Sequence, residues 1–535
     1  MSETSEVDLV ILGGGINGAG VAYQAAQAGL SVALFEKNDF ASGTSSKSTK
    51  LIHGGIRYLE HFHFSLVFES LRERYRLLQT APHLVRPLSF LLPCYLGDRN
   101  PPWMLKIGLW LYDILAGSHR IAFHQWLTQE QSLQKAPFLK KEGLLGCGVY
   151  FDAQVNDARL VLENILGAEE KGAACWNYRA VTQLNKAEDG YHVFYKDEKT
   201  GESGVLKARC LLNATGPWAN LTAKLLGDDG VVLVRPTRGS HIVVSQVIPG
   251  HAVLITTPKD NRIIFVIPWQ GFSLVGTTDL DDSTDPDHLV PTEDEIQYLL
   301  NEASRVFPGQ SWERSKVISA FTGLRPLAFS TGDSASAVSR EDRILAEGRL
   351  VTIVGGKLTT YRSMAEKALK KIMIILNKKA ALPASDRLPG TPNVPMDEFL
   401  DTQKKQAAGK YFLAGDQFEY LANLYGQRAW KVLKLLEENP AWAERLHSNR
   451  PEILAQVVFA VREEKAVHLD DVLMRRLEIG YSPERWGEAA QKAAHCMEAI
   501  LDWPKSRTKE EIQRYRHKLF PSPSDETTGV QLDLE

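Results

Sequence analysis

The sequence has 535 residues, enough for three or four packing units at roughly 150 residues per domain. Its hydrophobic share of 44% and charged share of 24% are typical of a globular protein, which excludes a disordered, collagen-like or disulfide-scaffold chain. The 62 Lys and Arg residues against 65 Asp and Glu residues leave a net charge of −3, so no overall basic field favours nucleic acid.

The amino-terminal residues 1–8 are acidic, whereas secretory signals begin with basic residues and transit peptides are rich in arginine. The longest apolar stretch, near Ile107–Leu115, is interrupted by Asp113 and is far shorter than the ~20 residues that span a bilayer. The five cysteines are dispersed without a C-x-x-C pair, which fits reduced thiols and argues against a structural zinc site. We therefore expect a protein that is soluble or lies on a membrane surface, without a metal.

The first predicted elements form one βαβ unit over residues 7–36. Val7–Leu12 is a short apolar strand, Ala19–Gly29 is a helix of small residues that stops at a glycine, and Ser31–Phe35 is a second apolar strand. Strands that are apolar along their whole length are typical of a parallel sheet covered on both faces. The unit therefore predicts an α/β domain.

A glycine-rich turn joins the first strand to the helix. Gly13, Gly15 and Gly18 have the G-x-G-x-x-G spacing, which permits a tight turn, close approach to a pyrophosphate and close packing of helix on strand. The helix N-terminus offers N–H groups and its positive dipole end to the phosphates. Glu36 follows the second strand, at the usual position of a carboxylate that binds ribose hydroxyls, and it disfavours NADP. Against the alternative of an ordinary turn, the pattern predicts a dinucleotide site.

Further elements are predicted along the chain. Strands are expected at Gly148–Phe151, Val205–Asn213, His241–Val244, Ile263–Ile267, Ser273–Thr277 and Leu350–Val354. Amphipathic helices are expected at Phe64–Gln79, Asp157–Gly172, Thr292–Phe307 and Ser363–Leu376. Residues 380–395, rich in proline and small residues, indicate a linker, and the helical periodicity over 398–520 indicates a separate α-helical domain. The polar tail 521–535 is predicted to be disordered.

Three later segments favour FAD over NAD as the dinucleotide. Ser42–Thr49 supplies small hydroxyl residues suited to a second phosphate or to the edge of an isoalloxazine ring. Leu211–Gly216 is a strand that ends in Ala-Thr-Gly, and Leu350–Gly356 is a strand that ends in two glycines. Each segment alone is compatible with an ordinary strand-to-turn connection. Together they indicate an extended cofactor that passes through the fold.

Six longer motifs extend this pattern: Gly13–Gly18, Ser45–Glu60, Asn213–Trp218, Gly239–Val244, Phe321–Pro326 and Gly355–Tyr361. With them the chain resembles the FAD-dependent, aerobic glycerol-3-phosphate dehydrogenases in their bacterial form. The motifs lie within residues 7–380, and the C-terminal region resembles the family more loosely at 461–476. The resemblance implies oxidation of sn-glycerol 3-phosphate to dihydroxyacetone phosphate, with FAD as cofactor and a membrane quinone as electron acceptor.

The resemblance also implies the fold and its division into domains. It implies an α/β, glutathione-reductase-type FAD-binding Rossmann-like fold with an inserted α+β substrate cap domain and a C-terminal α-helical domain. The FAD-binding domain is expected to comprise residues 1–60, 150–232 and 322–380. The cap is expected at 61–149 and 233–321, and the helical domain at 396–520.

Contacts to FAD are expected throughout the first domain, from the glycine pattern and from the resemblance. The expected contacts are Gly13, Gly14, Gly15, Ile16, Asn17, Gly18, Glu36, Lys37, Thr44, Ser45, Ser48, Lys50, Leu51, Gly54, Gly55, Val181, Ala214, Thr215, Gly216, Gly356, Lys357, Leu358 and Thr359.

A substrate with a phosphate group requires fixed cations. Arginine is preferred because its planar guanidinium holds two phosphate oxygens and stays charged. The candidates that the resemblance implies at the substrate are Arg57, Arg325, Arg340 and Lys357. Any single basic residue among 62 is otherwise an ordinary surface charge. Glycine-rich and apolar surroundings favour the functional interpretation for all but Arg340, which stands in a charged loop.

Oxidation at C2 of the substrate also requires a group that takes the hydroxyl proton. His53 is a candidate because its unperturbed pKa of ~6.5 suits proton transfer near neutral pH. Tyr58 and Lys357 are rivals, and His53 would otherwise be structural or contact only the flavin. Lys357 is also suited to stabilising anionic reduced flavin. With Arg57 and Arg325, these residues form the expected catalytic set.

Two segments are candidates for contact with lipid. Pro101–Asp113 combines two Trp, one Tyr and Lys106 with aliphatic residues, which suits a membrane interface. Its apolar residues surround the helix, which favours a buried cap helix instead. Lys505–Lys518 is rich in basic residues that would touch anionic lipid or form a solvated face. We expect a cytoplasmic protein bound peripherally to the cytoplasmic membrane, and the sequence leaves a homodimer open.

Two other functions remain open from the sequence. One is an oxidase of the same fold, which would deliver electrons from glycerol 3-phosphate or an amine to oxygen. An amino-acid substrate would require one arginine for its carboxylate and an apolar pocket rather than several cations. The other is a non-catalytic flavoprotein whose helical domain binds a partner, and the net charge of −3 gives no support to nucleic acid as that partner.

Overall fold

Two β-sheets and a C-terminal set of helices make up the fold. The computed structural model describes residues 6–227, 232–258, 260–282, 284–329, 343–379 and 387–520. Two predictions lie outside the described residues: the substrate-binding role of Arg340 and the disorder of the tail at 521–535.

Each strand and helix predicted before residue 380 is present in the structure, with ends that shift by a few residues or more. The strands are β1 (Glu6–Leu12), β2 (Val32–Phe35), β3 (Leu51–Ile52), β4 (Val85–Tyr95), β5 (Gln125–Leu127), β6 (Leu144–Val155), β7 (Ala174–Trp176), β8 (Arg179–Ala187), β9 (Gly190–Asp197), β10 (Ser203–Asn213), β11 (Val234–Ser245), β12 (His251–Thr256), β13 (Ile263–Trp269), β14 (Phe272–Gly276), β15 (Leu280–Asp281), β16 (Val317–Ala328), β17 (Arg343–Glu347) and β18 (Leu350–Val354).

The helices are α1 (Ile16–Gln27), α2 (Phe64–Thr80), α3 (Pro102–Ala116), α4 (Gln129–Lys135), α5 (Asp157–Glu170), α6 (Ala219–Leu225), α7 (Glu293–Val306), α8 (Tyr361–Ile375), α9 (Met396–Tyr411), α10 (Gly415–Tyr425), α11 (Ala429–Glu438), α12 (Leu454–Arg462), α13 (Glu488–Leu501) and α14 (Lys505–Leu519). Local sequence sets several of their starts. Helix α7, for example, begins with a capping box in which the Thr292 side chain accepts from the Glu295 N–H and the Glu295 side chain accepts from the Thr292 N–H.

The first sheet carries the βαβ unit and is parallel at its centre. Its strands lie in the order β17-β18-β10-β1-β2-β7, and the β8–β9 hairpin joins it at β10. Strand β1 is parallel to β2 and β10, and β10 is parallel to β18. One face of β1 packs with helices α1, α5 and α8, and the other packs with β10 and the β8–β9 hairpin, so β1 is apolar on both faces. The predicted Rossmann-like fold is confirmed, and the carboxyl ends of β1, β10 and β18 meet at one edge.

Most of the second sheet lies in the region predicted as the cap, whereas its strand β3 lies within residues 1–60, which the sequence assigns to the FAD-binding domain. Its strands follow the order β15-β11-β14-β13-β12-β4-β6-β3, with β16 paired to β11 and β5 paired to β6. Two predicted domain boundaries, at residues 150 and 322, fall inside β6 and β16. Pairing continues past both positions, from Val155 to Val85 and from Ala328 to Val234. The cap sheet therefore extends further along the chain than the sequence predicts.

Helix α3 differs from the prediction of a buried helix. It packs against α2 and β6, and Leu109, Tyr112 and Ala116 are buried on that face. Its other face consists of large apolar side chains that are 42% to 60% exposed: Trp103, Met104, Ile107, Trp110 and Ile114. The helix is apolar on both faces, of which one is buried in the core and the other is exposed to solvent. Within the described ranges, no helix combines the length and hydropathy that crossing a bilayer requires.

The chain divides into two compact units. One comprises Met1–Ser283 and Pro291–Pro389, and the other comprises Thr284–Val290 and Gly390–Glu535. In the second unit, α9–α14 surround an apolar core of their own. The sequence predicts this helical part, with a start at residue 396.

Candidate active site

The turn between β1 and α1 is too tight for any residue but glycine. Gly13 has a φ of +103°, and a Cβ there would lie 2.7 Å from the Ala214 carbonyl oxygen at the end of β10. A Cβ at Gly18 would lie 1.9 Å from the Gly13 carbonyl oxygen. The hydroxyl of Ser45 accepts the Ile16 N–H at 2.9 Å and so caps the first turn of α1. The spacing predicted as a dinucleotide turn therefore forms one.

Glu36 lies beside this turn, as predicted, at the end of β2. Its carboxylate accepts the Gly14 N–H at 2.7 Å and the Asn38 N–H at 2.8 Å. Burial raises the pKa of Glu36, and the two backbone N–H groups oppose that shift. Each carboxylate oxygen is able to accept a second hydrogen bond, so the ribose contact stays a prediction.

A cavity of about 530 Å³ opens at the edge where β1, β10 and β18 end. Sixteen of the residues predicted to contact FAD line it: Gly13, Gly15, Ile16, Asn17, Glu36, Lys37, Thr44, Ser45, Ser48, Val181, Ala214, Thr215, Gly216, Gly356, Lys357 and Leu358. The carboxyl edge of a parallel sheet is the usual position of a dinucleotide. We call this space the cofactor cavity.

The cofactor cavity suits a flat, polar-edged ligand. The buried indole N–H of Trp218, which lines it, has no hydrogen-bond partner. Such a buried donor in the wall of a cavity is available to an acceptor on a ligand. Gly13 and Gly15 have no side chain, so a ligand is able to approach the backbone closely at both positions. A Cβ at Gly15 would lie 3.2 Å from the Ser45 hydroxyl. These residues fit FAD.

A second cavity, of about 190 Å³, adjoins the first. The two share Ser48, Pro326, Gly355, Gly356, Lys357 and Leu358 as lining residues. The predicted residues His53, Tyr58, Arg325 and Lys357 line it, as do the predicted FAD contacts Leu51 and Thr359. We call this space the substrate cavity. It brings together four of the five predicted catalytic residues.

Strand alternation explains which side chains reach the substrate cavity. Gly239 and His241 on β11 both line it, as do Gly323 and Arg325 on β16. Residues two apart on a strand face the same side of a sheet, and β11 pairs antiparallel with β16, with Gly239 opposite Gly323. The paired glycines leave room on this face of the sheet for the side chains of Arg325 and Lys47, which line the cavity.

Lys357 carries its charge over an aromatic ring. Its Nζ lies 4.0 Å from the centre of the Tyr58 ring. Such a cation–π contact stabilises a partly buried ammonium and restricts its position. The ring of Tyr58 also occupies the space beside Gly55, where a Cβ would lie 2.3 Å from it.

The loop that carries His53 is held by hydrogen bonds from two directions. The His53 N–H donates to Thr359 Oγ1 at 3.2 Å, and the Gly54 N–H donates to the buried Asp152 at 3.0 Å. Asp152 also accepts from Arg74 at 2.6 Å and from the Tyr112 hydroxyl. The segment is thus tied to both β6 and the turn after β18. Its role as the proton acceptor stays a prediction.

His241 is a cavity residue that the sequence analysis did not select. It is 1% exposed, its Nε2 lies 3.0 Å from the Thr49 hydroxyl, and its ring stacks on Phe321 at 5.0 Å. Burial, with the positive charges of Arg325 and Lys50, lowers the pKa of His241 to about 3. It is therefore neutral at ordinary pH. The sequence signal for this position is that His241 lies two residues after Gly239 in the motif Gly239–Val244, so both face the same side of a strand.

Other predicted residues lie elsewhere. Arg57 is half-buried in the short 3₁₀ helix Ile56–His61 and is not among the lining of either cavity, so its role stays a prediction. The Lys50 ammonium is 1% exposed and lies 2.6 Å from Asp157, so its charge serves a buried ion pair. Any contact of Lys50 with FAD stays a prediction, as does that of Gly54.

Known proteins resemble the chain along nearly its whole length. The family described as FAD dependent oxidoreductase matches residues 8–362, and that described as C-terminal domain of alpha-glycerophosphate oxidase matches residues 386–508. A glycerol-3-phosphate dehydrogenase of Synechocystis sp. is 38% identical over 539 residues, with 96% of each chain covered. The mitochondrial glycerol-3-phosphate dehydrogenase of Rattus norvegicus is 35% identical, with 97% of this chain and 74% of that protein covered.

Solved structures agree with these matches. The glycerol-3-phosphate dehydrogenase of Bacillus halodurans, solved with FAD, has a TM-score of 0.76 at 30% identity and covers 96% of this chain and 94% of its own. The L-alpha-glycerophosphate oxidase of Mycoplasma pneumoniae, also with FAD, has a TM-score of 0.55 at 21% identity over 74% of this chain and 99% of its own. The second likeness concerns the fold alone.

The parallel sheet, the glycine turn and the two adjoining cavities are those of an FAD-dependent oxidoreductase, and FAD is the cofactor. The identity along both units narrows that class. The chain belongs to the glycerol-3-phosphate dehydrogenase family.

Proposed function

We propose that this protein oxidises sn-glycerol 3-phosphate to dihydroxyacetone phosphate in the substrate cavity. The observation that carries the proposal is the convergence of Arg325, from β16, and Lys357, from the turn after β18, on that cavity beside His53. Two fixed cations next to the cofactor cavity suit a substrate with a phosphate group. The names of the relatives in Synechocystis and Rattus support the same substrate.

FAD, when bound, supplies the acceptor for the hydride that leaves C2 of the substrate. The protein's own residues bind the anionic end, orient C2 and take up the hydroxyl proton. Arg325 and Lys357 serve the first two tasks, and the Tyr58 ring restricts the Lys357 ammonium. His53 is our candidate for the proton. His241 is poorly suited to that step, because a pKa of about 3 makes it a weak base.

An anaerobic titration tests the reaction. Glycerol 3-phosphate is expected to bleach the visible absorbance of the flavin, whereas glycerol, which lacks the phosphate, is not. Arg325→Ala is expected to keep its flavin and to need far more glycerol 3-phosphate for the same bleaching, because one of the cations that line the cavity is lost. A wild-type flavin that stays oxidised with glycerol 3-phosphate would contradict the proposed function.

Membrane quinone is the electron acceptor that we propose, reached from a peripheral position on the cytoplasmic membrane. Support comes from a surface that we call the apolar face, with side chains 39% to 76% exposed: Phe62, Phe64, Phe68, Trp103, Met104, Ile107, Trp110 and Ile114. Helix α2, which carries two of them, packs against α3, and the Phe62 and Phe64 rings are 6.0 Å apart. Exposed aromatic side chains on two helices that pack together favour the boundary of a bilayer.

Charge reversal on the apolar face tests this attachment. Ile107→Glu with Trp110→Glu is expected to abolish co-sedimentation with vesicles that contain anionic lipid, because a charge resists entry into the apolar layer. Turnover with a soluble dye as acceptor is expected to stay normal. The matched control is Phe412→Glu, at a side chain that is 92% exposed in the helical unit. Unchanged vesicle binding by the double variant would refute this face as the contact.

The final electron acceptor distinguishes the proposed dehydrogenase from an oxidase. The oxidase stays the alternative because residues 386–508 match a domain named for alpha-glycerophosphate oxidase. Substrate-reduced protein mixed with a quinone under anaerobic conditions is expected to reoxidise faster than with oxygen. Rapid peroxide formation with oxygen would favour the oxidase. A homodimer stays a prediction, which sedimentation velocity measures.

A further inference from the structure

The guanidinium of Arg325 is bound by residues that do not line the substrate cavity. Its Nη1 donates to Asp279 Oδ1 at 2.8 Å, and its Nη2 donates to Thr277 Oγ1 at 2.9 Å and to the Thr278 carbonyl at 3.2 Å. The side chains of Arg325 and Asp279 are 25% and 13% exposed. The arginine thus meets the cavity while its terminal nitrogens are held from the segment after β14.

Gly239 gives this arrangement its space. A Cβ at Gly239 would lie 2.4 Å from Arg325 Nη2 and 2.6 Å from Thr277 Oγ1. The guanidinium therefore lies directly against the backbone of β11, between that strand and the residues that bind it. Any side chain at Gly239 would displace the guanidinium, so the observed conformation of Arg325 requires glycine at this position.

A neighbouring arginine has carboxylates of its own. Arg238 pairs with Asp282 at 3.1 Å and with Glu295 at 3.2 Å. Glu295 is also held by the capping box of α7 and accepts from Thr278 Oγ1 at 2.7 Å. The segment 277–282 therefore supplies separate carboxylates to three arginines, since Asp281 pairs with Arg235, and Asp279 is the one that binds the cavity residue.

We propose that Asp279 is the positioning residue for Arg325, holding its guanidinium in the orientation that binds the anionic end of the substrate. A negative charge beside a cation weakens its attraction for another anion, so the gain lies in orientation. An arginine without this partner must lose rotamer freedom when the substrate binds, and that loss weakens binding. This inference rests on the proposed function.

A double-mutant cycle tests it, with turnover and flavin reduction by glycerol 3-phosphate as the measurements. Asp279→Ala is expected to raise KM by about 10- to 100-fold, the loss typical of a hydrogen bond between charged groups, with flavin content unchanged. Asp279→Asn keeps an oxygen acceptor and is expected to recover most of that loss. In an Arg325→Ala background, Asp279→Ala is expected to add nothing, because Asp279 acts through Arg325.

The matched control is Asp281→Asn, two residues after Asp279. It removes the negative charge of an exposed ion pair in which Asp281 and Arg235 are 2.6 Å apart. Its kinetics are expected to match the wild type. If Asp279→Ala fails to fold, Thr277→Val removes the second acceptor at similar volume and is expected to raise KM in the same direction. An unchanged KM, or full additivity with Arg325→Ala, would overturn the inference. A wild-type protein that glycerol 3-phosphate does not reduce would instead overturn the proposed function.

Discussion

Replacing Gly13 with alanine is expected to damage the cofactor cavity at the turn between β1 and α1. The φ of +103° costs an L-residue about 1–2 kcal/mol relative to glycine. The added Cβ would also lie 2.7 Å from the Ala214 carbonyl oxygen, a backbone atom that moves only with β10. Overpacking of this kind costs about 1–3 kcal/mol. The sum, about 2–5 kcal/mol, is a large part of a typical stability of about 5–15 kcal/mol.

The strain falls between the carboxyl ends of β1 and β10, where FAD binds, so Gly13→Ala is expected to lose flavin as well as stability. The ratio of flavin to protein absorbance and the melting temperature, with and without added FAD, measure both effects. Gly29→Ala is the control, because Gly29 has a φ of +80° but nothing within 4 Å of an added Cβ. It is expected to pay the backbone cost alone and keep its flavin. Equal flavin content and equal melting temperatures in the two variants would refute the clash.

Three further predictions concern charged groups near the site. Lys50→Met leaves the buried Asp157 carboxylate without its partner at 2.6 Å, and is expected to cost about 3–5 kcal/mol in denaturant unfolding. A loss below about 1 kcal/mol would count against a buried pair. Because the pKa of His241 falls from 6.5 unfolded to about 3 folded, its contribution is complete above pH 6.5 and is lost as pH falls toward 3. Thermal melts of His241→Gln across that range are expected to depend less on pH than those of wild type, and identical slopes would contradict the assignment. Tyr58→Leu removes the ring 4.0 Å from the Lys357 ammonium and is expected to raise KM by a few-fold to about 30-fold, from a contact worth about 0.5–2 kcal/mol. An unchanged KM would show that the ring does not position Lys357.

Much of the first sheet could be predicted because its signals are local. The run Val7–Leu12, the glycine turn and the position of Glu36 lie within 30 residues and obey one pattern. Strand β16 is not among the predicted strands, and it contains Gly323 and Pro326, two residue types that are disfavoured inside strands. In the structure β16 is an outer strand that pairs with β11, and outer strands tolerate proline.

Helix α3 shows a different limit of sequence reasoning. Its composition predicts a helix that is apolar all round, but the identity of an apolar residue does not indicate which neighbour, if any, packs against it. Packing of α3 on α2 and β6 decided that Leu109 is buried and Trp110 is 60% exposed. The same holds for Lys50, whose conformation and burial depend on Asp157, more than 100 residues away.

The sequence by itself determined the dinucleotide turn, the cofactor class and the candidate cations, because glycine spacing and family motifs are properties of short segments. Tertiary structure alone decided which cations share a cavity, since Arg325 on β16 and Lys357 after β18 come from different sheets. It also decided that His241 lines the cavity and that Asp279 holds Arg325, because both contacts depend on which strands are neighbours and on the register between them. Short segments of sequence therefore determine which residue types are present, and pairing between distant strands determines which of them come into contact.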